Sequence, residues 1–278
     1  MLTRIITGAC LVLVAVPVII FSHTFALEVF ASLLSGIAVF EMMRCLGLHK
    51  NYYLSIPSYI VALAGPATVR MLGALNSPGI VLFAVGYIYA LYVLACAMFS
   101  QGTIRFKDAA KAFMSTVYII CGFTCLVATG GLEHGKFLVV MVLVVAFDTV
   151  IFAYFSGMLF GRHKLIPAVS PKKTVEGAIG GTLISAASFV GCAYLYSYLY
   201  DGVTPHALPL FLCGAALSIV SQIGDLIASY IKRERDIKDY GNLFPGHGGV
   251  IDRFDSVIAV APLLYIMLVN PSLLSIFN

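Results

Sequence analysis

The sequence predicts an all-α integral membrane protein, a polytopic bundle of about nine transmembrane helices. Of its 278 residues, 60% are hydrophobic and only 11% are charged, whereas soluble globular proteins carry about 25% charged residues. Apolar runs of about 20 residues, the length that crosses a bilayer as a helix, recur along the whole chain. Because backbone polar groups in lipid must pair within their own segment, helices are the expected elements.

The predicted spans follow one another with short connections. Their bounds are 5–22, 24–43, 52–71, 79–99, 109–130, 136–160, 177–200, 207–231 and 254–275. The first span follows Arg4 and also resembles a signal peptide with a cleavage site near Ala26, but further spans follow at once, which favours an uncleaved helix. We divide the chain into an N-terminal part, 1–135, with about five spans, and a C-terminal catalytic part, 136–278.

Basic residues predict the orientation. If the N-terminus is cytoplasmic, all of the 17 Lys and Arg residues except Arg70 and Lys136 fall on the inner side, as the positive-inside rule requires. Loops 161–176 and 232–253 then face the cytoplasm, and the C-terminal Asn278 lies outside. The net charge of +4 therefore reflects topology, and we expect no nucleic-acid partner.

Carboxylates within apolar spans are costly in lipid and usually face a cavity or a partner. Glu28 and Glu41 lie near the ends of the second span, where they can reach the interface, so we interpret both as structural. Asp148 lies in the middle of the sixth span and has no obvious basic partner in the sequence.

The eighth span carries a polar stripe on one helix face. Its members are Ser218, Ser221, Gln222, Asp225 and Ser229. Such side chains can supply hydrogen bonds between helices, or they can line a wet cavity. Because the stripe contains a carboxylate and leads into Lys232 and Arg233, we favour the cavity.

The loop after the eighth span is suited to an anion and a hard cation. Gly248 and Gly249 follow His247, so the backbone can bend sharply and present N–H groups to an anion. Asp252 and Asp255 open the ninth span at i and i+3, on one helix face, and carboxylate oxygens are ligands that hard cations prefer.

A second basic stretch, SPKKTVEG at 170–177, precedes the seventh span on the same predicted side. On spacing alone it is either a topology-setting loop or part of an anion site. Thr174 would cap the helix that follows, and Gly177 and Gly181 would allow that helix to pack closely. Basic clusters beside paired carboxylates suggest Mg²⁺, a polyphosphate, and phosphoryl or nucleotidyl transfer. The sequence has no G-x-x-x-x-G-K-[ST] or G-x-G-x-x-G pattern, so we do not expect an ordinary soluble nucleotide-binding domain.

The run from Ser229 to Asp255 resembles the signature of the phosphatidate cytidylyltransferase (CDP-diacylglycerol synthase) family. The matching positions are Ser229, Ile231, Lys232, Arg233, Lys238, Asp239, Gly241, Phe244, Pro245, His247, Gly248, Gly249, Asp252, Arg253, Phe254 and Asp255. The stretch GRHKLIPAVSPKKTVEGAIGG at 161–181 is similar to the second characteristic stretch of that family. The specific resemblance covers about the last 130 residues.

This resemblance implies an enzyme of the bacterial cytoplasmic membrane that condenses CTP with phosphatidate, with its active site facing the cytoplasm. It also implies dependence on Mg²⁺, a site for a second cation, and a homodimer in membrane lipid. Carried over residue by residue, Asp225, Asp252 and Asp255 would bind the metal and act in catalysis. The other catalytic candidates are Lys232, Arg233 and His247. The substrate-binding candidates are Lys172, Lys173, Thr174, Glu176, Ser229, Lys238, Asp239, Gly248, Gly249 and Arg253.

One position departs from the family pattern. Family members usually carry an Asp-Thr pair at the place of Val150-Ile151, whereas this chain has Asp148-Thr149 two residues earlier. Two helical steps turn by about 200°, so Asp148 would face nearly the opposite way. Three outcomes are open: a local helix irregularity brings Asp148 into the polar cavity, another carboxylate takes its place, or the enzyme is weakened. We favour the first, with Asp148 as a further candidate metal ligand.

Two other functions stay open at this point. One is another CTP-dependent lipid-phosphate nucleotidyltransferase or a lipid kinase, acting on a different prenyl or acyl substrate. The other is a transporter for an anionic lipid or metabolite, which would predict broken helices at matching positions of two halves. The sequence shows no such symmetry.

Overall fold

The computed structural model describes residues 8, 13–22, 24–73, 78–200 and 205–270. Within these ranges the regular secondary structure is helical apart from one small β-hairpin, and residues 13–20 belong to the first helix, α1. The later helices are α2 (Ala26–Cys45), α3 (Tyr52–Ala67), α4 (Val69–Gly73), α5 (Pro78–Phe99), α6 (Phe106–Gly130), α7 (Gly135–Phe160), α8 (Val175–Leu199), α9 (Ala207–Glu234) and α10 (Ile251–Val269). The strands are β1 (Lys164–Ile166) and β2 (Ser170–Thr174).

Helices α2, α5, α6, α7, α8 and α9 are long and apolar enough to cross a membrane. The protein is therefore an all-α membrane protein by composition and helix length. The number of nine spans and the inner location of the N-terminus stay predictions. Parts of the predicted spans 5–22 and 254–275 lie outside the described residues, as does Asn278.

The predicted span 52–71 is not one continuous helix. α3 ends at Ala67, and the five-residue α4 follows it. The hydroxyl of Thr68 donates to the carbonyls of Ala64 at 3.0 Å and Gly65 at 3.1 Å, and such local bonds compete with helix continuation. The 16 residues of α3 rise about 24 Å, less than the hydrocarbon thickness of about 30 Å.

The helices form two compact units. The first comprises the described residues of Met1–Gly131 with Ile237–Arg253, and the second comprises those of Leu132–Asp236 with Phe254–Asn278. In the first unit α2 packs against α3 and α6, and α5 packs against α6; in the second, α7 packs against α8, and both pack against α9. The predicted division at residue 135 did not anticipate that 237–253 groups with the N-terminal helices.

Small residues let α7 and α8 approach closely, as expected from the glycines at 177 and 181. A Cβ added at Gly181 would lie 2.8 Å from the Cβ of Ala153 and 2.9 Å from the carbonyl oxygen of Thr149. The buried hydroxyl of Thr149 also bonds to Ser185 of α8 at 3.0 Å and to Ser218 of α9 at 2.8 Å. These contacts join the three helices that carry one part of the site.

The hairpin that precedes α8 was not predicted from the sequence. β1 and β2 pair antiparallel, with Lys164 opposite Thr174 and Ile166 opposite Ser170. Thr174 ends β2 and is the N-cap of α8, where its hydroxyl accepts from the N–H of Gly177 at 3.1 Å. The predicted capping role of Thr174 is therefore confirmed, and the hairpin carries Lys172 and Lys173 directly to the helix start.

Candidate active site

In the second unit, an ion pair joins two of the predicted site residues. Nζ of Lys173, on β2, contacts Oδ2 of Asp225, on α9, and their side chains are 28% and 21% exposed. A half-buried charge of either sign needs a partner, because removal from water is otherwise costly. This pair explains how an apolar helix can hold Asp225.

Asp255 of α10 belongs to the same group of charges. A Cβ at Gly224 of α9 would lie 2.9 Å from the carbonyl oxygen of Asp255, so the two helices touch at this point. Asp255 interacts electrostatically with Asp225, Lys173 and Lys232. Two neighbouring carboxylates repel each other, and a bound cation would relieve that repulsion.

The donor set is consistent with a magnesium ion held partly by substrate. Within the ranges that the structure describes, no three or more His, Cys, Asp or Glu side chains gather in a way that could hold a metal. Mg²⁺ commonly binds through one or two carboxylates together with water and substrate phosphates, and it does not require a cage built by the protein alone. Asp225 and Asp255 fit that pattern.

An amphipathic cavity of about 420 Å³ lies beside the ion pair. Its polar lining residues are Ser170, Lys172, Lys173, Thr174, Gln222 and Asp225. Its apolar lining residues are Val150, Ala153, Tyr154, Gly157, Met158, Leu165 and Ala178. Such a cavity can hold an amphipathic molecule with an anionic group and an apolar part.

The polar stripe of α9 serves two purposes along its length. Ser218 bonds to Thr149, and the amide of Gln222 donates to the carbonyl of Ala178 at 3.2 Å and to the hydroxyl of Thr182 at 2.9 Å. These are bonds between helices. Gln222 and Asp225 also line the cavity, so the stripe both joins helices and lines a cavity, and Gln222 does both.

Our expectation of a helix irregularity near Asp148 is wrong. α7 is a continuous α-helix from Gly135 to Phe160. Val150 lines the cavity, whereas Asp148 interacts with Cys192 of α8. In a regular helix, side chains two positions apart point about 200° away from each other. Asp148 and Val150 therefore face different directions.

Glu176 organises the chain before the hairpin. Its carboxylate accepts from the backbone N–H of Arg162 at 3.0 Å and of His163 at 3.2 Å, and it contacts Nδ1 of His163 at 2.6 Å. Its position in the first turn of α8 is also favourable for a negative charge. These bonds hold the segment that leads into β1.

In the first unit, the glycine-rich loop forms a tight turn. The N–H of His247 donates to the carbonyl of Phe244 at 2.8 Å, and the N–H of Phe244 donates to that of Gly248 at 2.9 Å. Gly246 and Gly248 have φ values of +77° and +86°, which other residues rarely adopt. The predicted sharp bend is therefore present.

Asp252 stabilises this turn from within the first unit. Its Oδ2 accepts from the backbone N–H of Tyr240 at 2.8 Å and of Gly249 at 2.9 Å. Nε of Arg253 donates to the carbonyl of His247 at 2.7 Å. Asp252 thus has a structural task beside the metal-binding role predicted for it, which stays a prediction.

A second cavity, of about 770 Å³, opens at this loop. Its lining residues are Lys238, Asp239, Asn242, Phe244, Pro245, Gly246, His247, Gly248 and Arg253. Five of the predicted site residues meet there, among them two cationic side chains. The remaining candidates, Ser229, Lys232 and Arg233, lie at the end of α9 in the second unit, where Nε of Arg233 is 3.4 Å from the carbonyl oxygen of Val169.

Comparison of the sequence with known proteins identifies the family of this chain. The sequence model of the cytidylyltransferase family matches residues 2–270. The chain belongs to that family. Proteins named phosphatidate cytidylyltransferase from Staphylococcus haemolyticus and Staphylococcus epidermidis are each 33% identical over 272 residues, which is 97% of this chain and 100% of theirs. That of Staphylococcus aureus is 32% identical over the same shares, so the likeness extends well beyond the last 130 residues.

In this cytidylyltransferase, two residues of α2 contact the loop although the sequence did not indicate them. Glu41, which we interpreted as structural at the interface, is 3% exposed and bonds to Val250 and Ile251. Nη2 of Arg44 donates to the carbonyl of Tyr240 at 2.7 Å. The available signal was a carboxylate and a guanidinium one helical turn apart in an apolar span.

The other carboxylate of α2 is compensated locally. Glu28 forms a 3.0 Å ion pair with Arg70, whose guanidinium also lies over the ring of Phe25. This contact is in accord with the structural role that we assigned to Glu28. The two buried carboxylates of one helix therefore have different surroundings.

Proposed function

We propose that this protein is a phosphatidate cytidylyltransferase, which condenses CTP with phosphatidate to give CDP-diacylglycerol and pyrophosphate in phospholipid biosynthesis. The observation that carries this proposal is the likeness to relatives of that name over 97% of the chain and their full length. The two signature stretches, 161–181 and 229–255, also supply the charged residues of both cavities apart from Asp225.

The reaction needs little covalent help from the protein. An oxygen of the phosphatidate phosphate, already anionic, attacks the α-phosphorus of CTP, the bond from that phosphorus to the bridging oxygen breaks, and pyrophosphate leaves. No strong base is required. The protein must hold both anions, neutralise their charge and place the attacking oxygen in line.

The amphipathic cavity of the second unit suits the lipid substrate. Lys172 and Lys173 offer positive charge to a phosphate, while Tyr154, Met158 and Leu165 offer apolar surface to the glycerol and the acyl chains. A lipid phosphate that displaced Asp225 from Lys173 would also leave that carboxylate for a metal ion. We assign phosphatidate to this cavity.

The cavity of the first unit suits the triphosphate of CTP. Lys238 and Arg253 are cationic, and the turn at 244–248 exposes a glycine-rich backbone. Polyphosphates are commonly bound by such backbone together with basic side chains. We assign the CTP phosphates to this cavity, with His247 as a further contact.

Asp225 and Asp255 would hold Mg²⁺, and Asp252 is the third predicted ligand. When bound, Mg²⁺ neutralises charge that develops on the departing pyrophosphate. A second cation belongs to the same proposal. We further propose nine spans, an active site on the cytoplasmic face of a bacterial membrane, and a homodimer, which light scattering of the detergent-solubilised protein would detect.

The decisive experiment measures pyrophosphate and CDP-diacylglycerol released by the purified protein in detergent. We expect equal amounts of both products, dependent on CTP, phosphatidate and Mg²⁺, with loss on chelation and recovery when Mg²⁺ is restored. Asp255→Asn should lower turnover on the order of 100-fold, which is the size of effect that removal of one preorganised polar group has in other active sites. Asp108→Asn, at the ion pair with Arg105, is the matched control and should remain active.

Three outcomes would contradict this function. Transfer of phosphate from ATP would indicate a lipid kinase, and a preference for a prenyl phosphate would indicate a related nucleotidyltransferase. Movement of an anionic lipid across vesicles without CTP turnover would indicate a transporter.

A further inference from the structure

Glu41 caps the first turn of α10 from a different helix. Its Oε1 accepts from the N–H of Val250 at 3.0 Å, and its Oε2 accepts from the N–H of Ile251 at 3.1 Å. The N–H groups at a helix start have no partner within the helix. α2 supplies that partner from 209 and 210 residues away in sequence.

Arg44 binds the other end of the loop 240–251, which leads into α10. It lies one turn after Glu41 on α2, and its guanidinium donates to the carbonyl of Tyr240, which is 1% exposed. Residues three apart share a helix face. One face of α2 therefore binds the loop at residue 240 and again at residues 250 and 251.

Two glycines of the loop make room for the Glu41 carboxylate. A Cβ at Gly249 would overlap both carboxylate oxygens of Glu41, and a Cβ at Gly241 would overlap Oε1. Neither glycine has a positive φ, so backbone conformation does not require glycine at these positions. The space that Glu41 occupies does require it.

The loop is thus fixed by two carboxylates with different origins. Asp252 joins Tyr240 and Gly249 from the first turn of α10, and Glu41 holds the two residues after Gly249 from α2. A buried carboxylate in an apolar span is expensive, and bonds to two backbone N–H groups offset that cost.

We infer that Glu41 and Arg44 are positioning residues for nucleotide binding. They set the shape of the loop 240–251 and thereby the placement of His247, Gly248 and Arg253 around their cavity. That the ligand of this cavity is CTP rests on the proposed function. The positioning itself rests on the contacts of α2.

The test replaces each buried carboxylate of α2 by its isosteric amide in the full chain. Glu41→Gln keeps the shape but can no longer offer two acceptor oxygens, so hydrogen exchange without substrate should accelerate in peptides covering 240–251. The KM for CTP should rise about tenfold, the effect of losing one hydrogen bond to a charged group, while the KM for phosphatidate stays near its parental value. Glu28→Gln, on the same helix, should change neither the exchange of peptides covering 240–251 nor the KM for CTP.

A double-mutant cycle keeps the inference testable if Glu41→Gln folds poorly. Gly249→Ala should impair CTP binding because its methyl group collides with Glu41, and it should add little in a Glu41→Ala background. Equal effects of Gly249→Ala in both backgrounds would overturn the inference. So would unchanged exchange and an unchanged KM for CTP in Glu41→Gln. Because exchange is measured without nucleotide, failure of the proposed function would be seen separately, as absence of CTP turnover in the parent.

Discussion

Lys173 and Asp225 show how a charge becomes tolerable inside an apolar bundle. Each is half-buried, each neutralises the other, and both line the cavity that we assign to phosphatidate. Asp148 is the informative comparison, because it is also a carboxylate within a helix but does not line that cavity. Both are aspartates, so residue type does not distinguish them. They differ in whether their side chain lines the cavity.

Replacement by Asn should lower turnover at Asp225 but not at Asp148. Asp225→Asn should lower CDP-diacylglycerol formation by on the order of 100-fold, because it removes a metal ligand candidate and leaves Lys173 without its charge partner. Asp148→Asn should keep turnover close to the parental value, since Val150 and not Asp148 faces the cavity. Both variants are to be compared at equal amounts of purified, folded protein.

A large loss of activity in Asp148→Asn would contradict this geometry. In that case Asp148→Asn combined with Val150→Asp becomes the decisive variant. Recovery of activity would mean that Asp148 performs the role that family members give to the acid two residues later.

At the scale of elements, the packing of α7 on α8 supports the hairpin and Thr174. Thr174 packs against Gly157 of α7 and against Gly161, which directly follows that helix. A Cβ at Gly157 would be 2.8 Å from the hydroxyl oxygen of Thr174. Because the first turn of α8 follows directly, a change in the spacing of the two helices would displace Lys173. Close packing by glycine is thus a precondition for the ion pair.

Enlarging a glycine at this contact should destabilise the protein. Gly181→Leu places side-chain atoms against Ala153 and the backbone of Thr149, and overpacking of this kind costs about 1–3 kcal/mol. Gly191→Leu, on the same helix, is the matched control, because a Cβ there has nothing within 4 Å. Thermal unfolding in detergent should show a lower midpoint for Gly181→Leu alone. Equal midpoints for the two variants would contradict the packing argument.

At the scale of the whole molecule, the asymmetry of basic residues determines the expected topology. Loops 161–176 and 232–253 hold nine of the 17 Lys and Arg residues and should lie in the cytoplasm, where CTP is available. The short connection around Glu133 carries almost none and should lie outside. The six helices of sufficient length among the described residues are consistent with several topologies, so the sidedness needs its own measurement.

Cysteine labelling from each side of the membrane measures the sidedness of these loops. In a background without the seven native cysteines, a cysteine at the exposed Asn242 should react only in inside-out vesicles. A cysteine at Glu133, whose side chain is 92% exposed, should react only in sealed cells. Labelling of position 242 in sealed cells would refute the model of a cytoplasmic active site.

Local patterns in the sequence were sufficient for the class of the protein and for its family. Hydrophobic runs of membrane length predict helices without knowledge of their neighbours, and the signature at 229–255 indicated the cytidylyltransferase family before any contact was known. Thr174 as a cap and Gly177 and Gly181 as packing residues were also predicted, because each depends on residues a few positions away or on side-chain size.

Contacts between distant segments were decided only by the tertiary structure. The bonds of Glu41 to Val250 and Ile251 span more than two hundred residues, and no periodicity within α2 distinguishes Glu41 from Glu28. The direction of Asp148, the pairing of Lys173 with Asp225 and the assignment of 237–253 to the N-terminal unit likewise depend on which helices pack together. The physical reason is that a local pattern reports how apolar or polar a face is, whereas the partner of a buried charge is chosen by packing between helices.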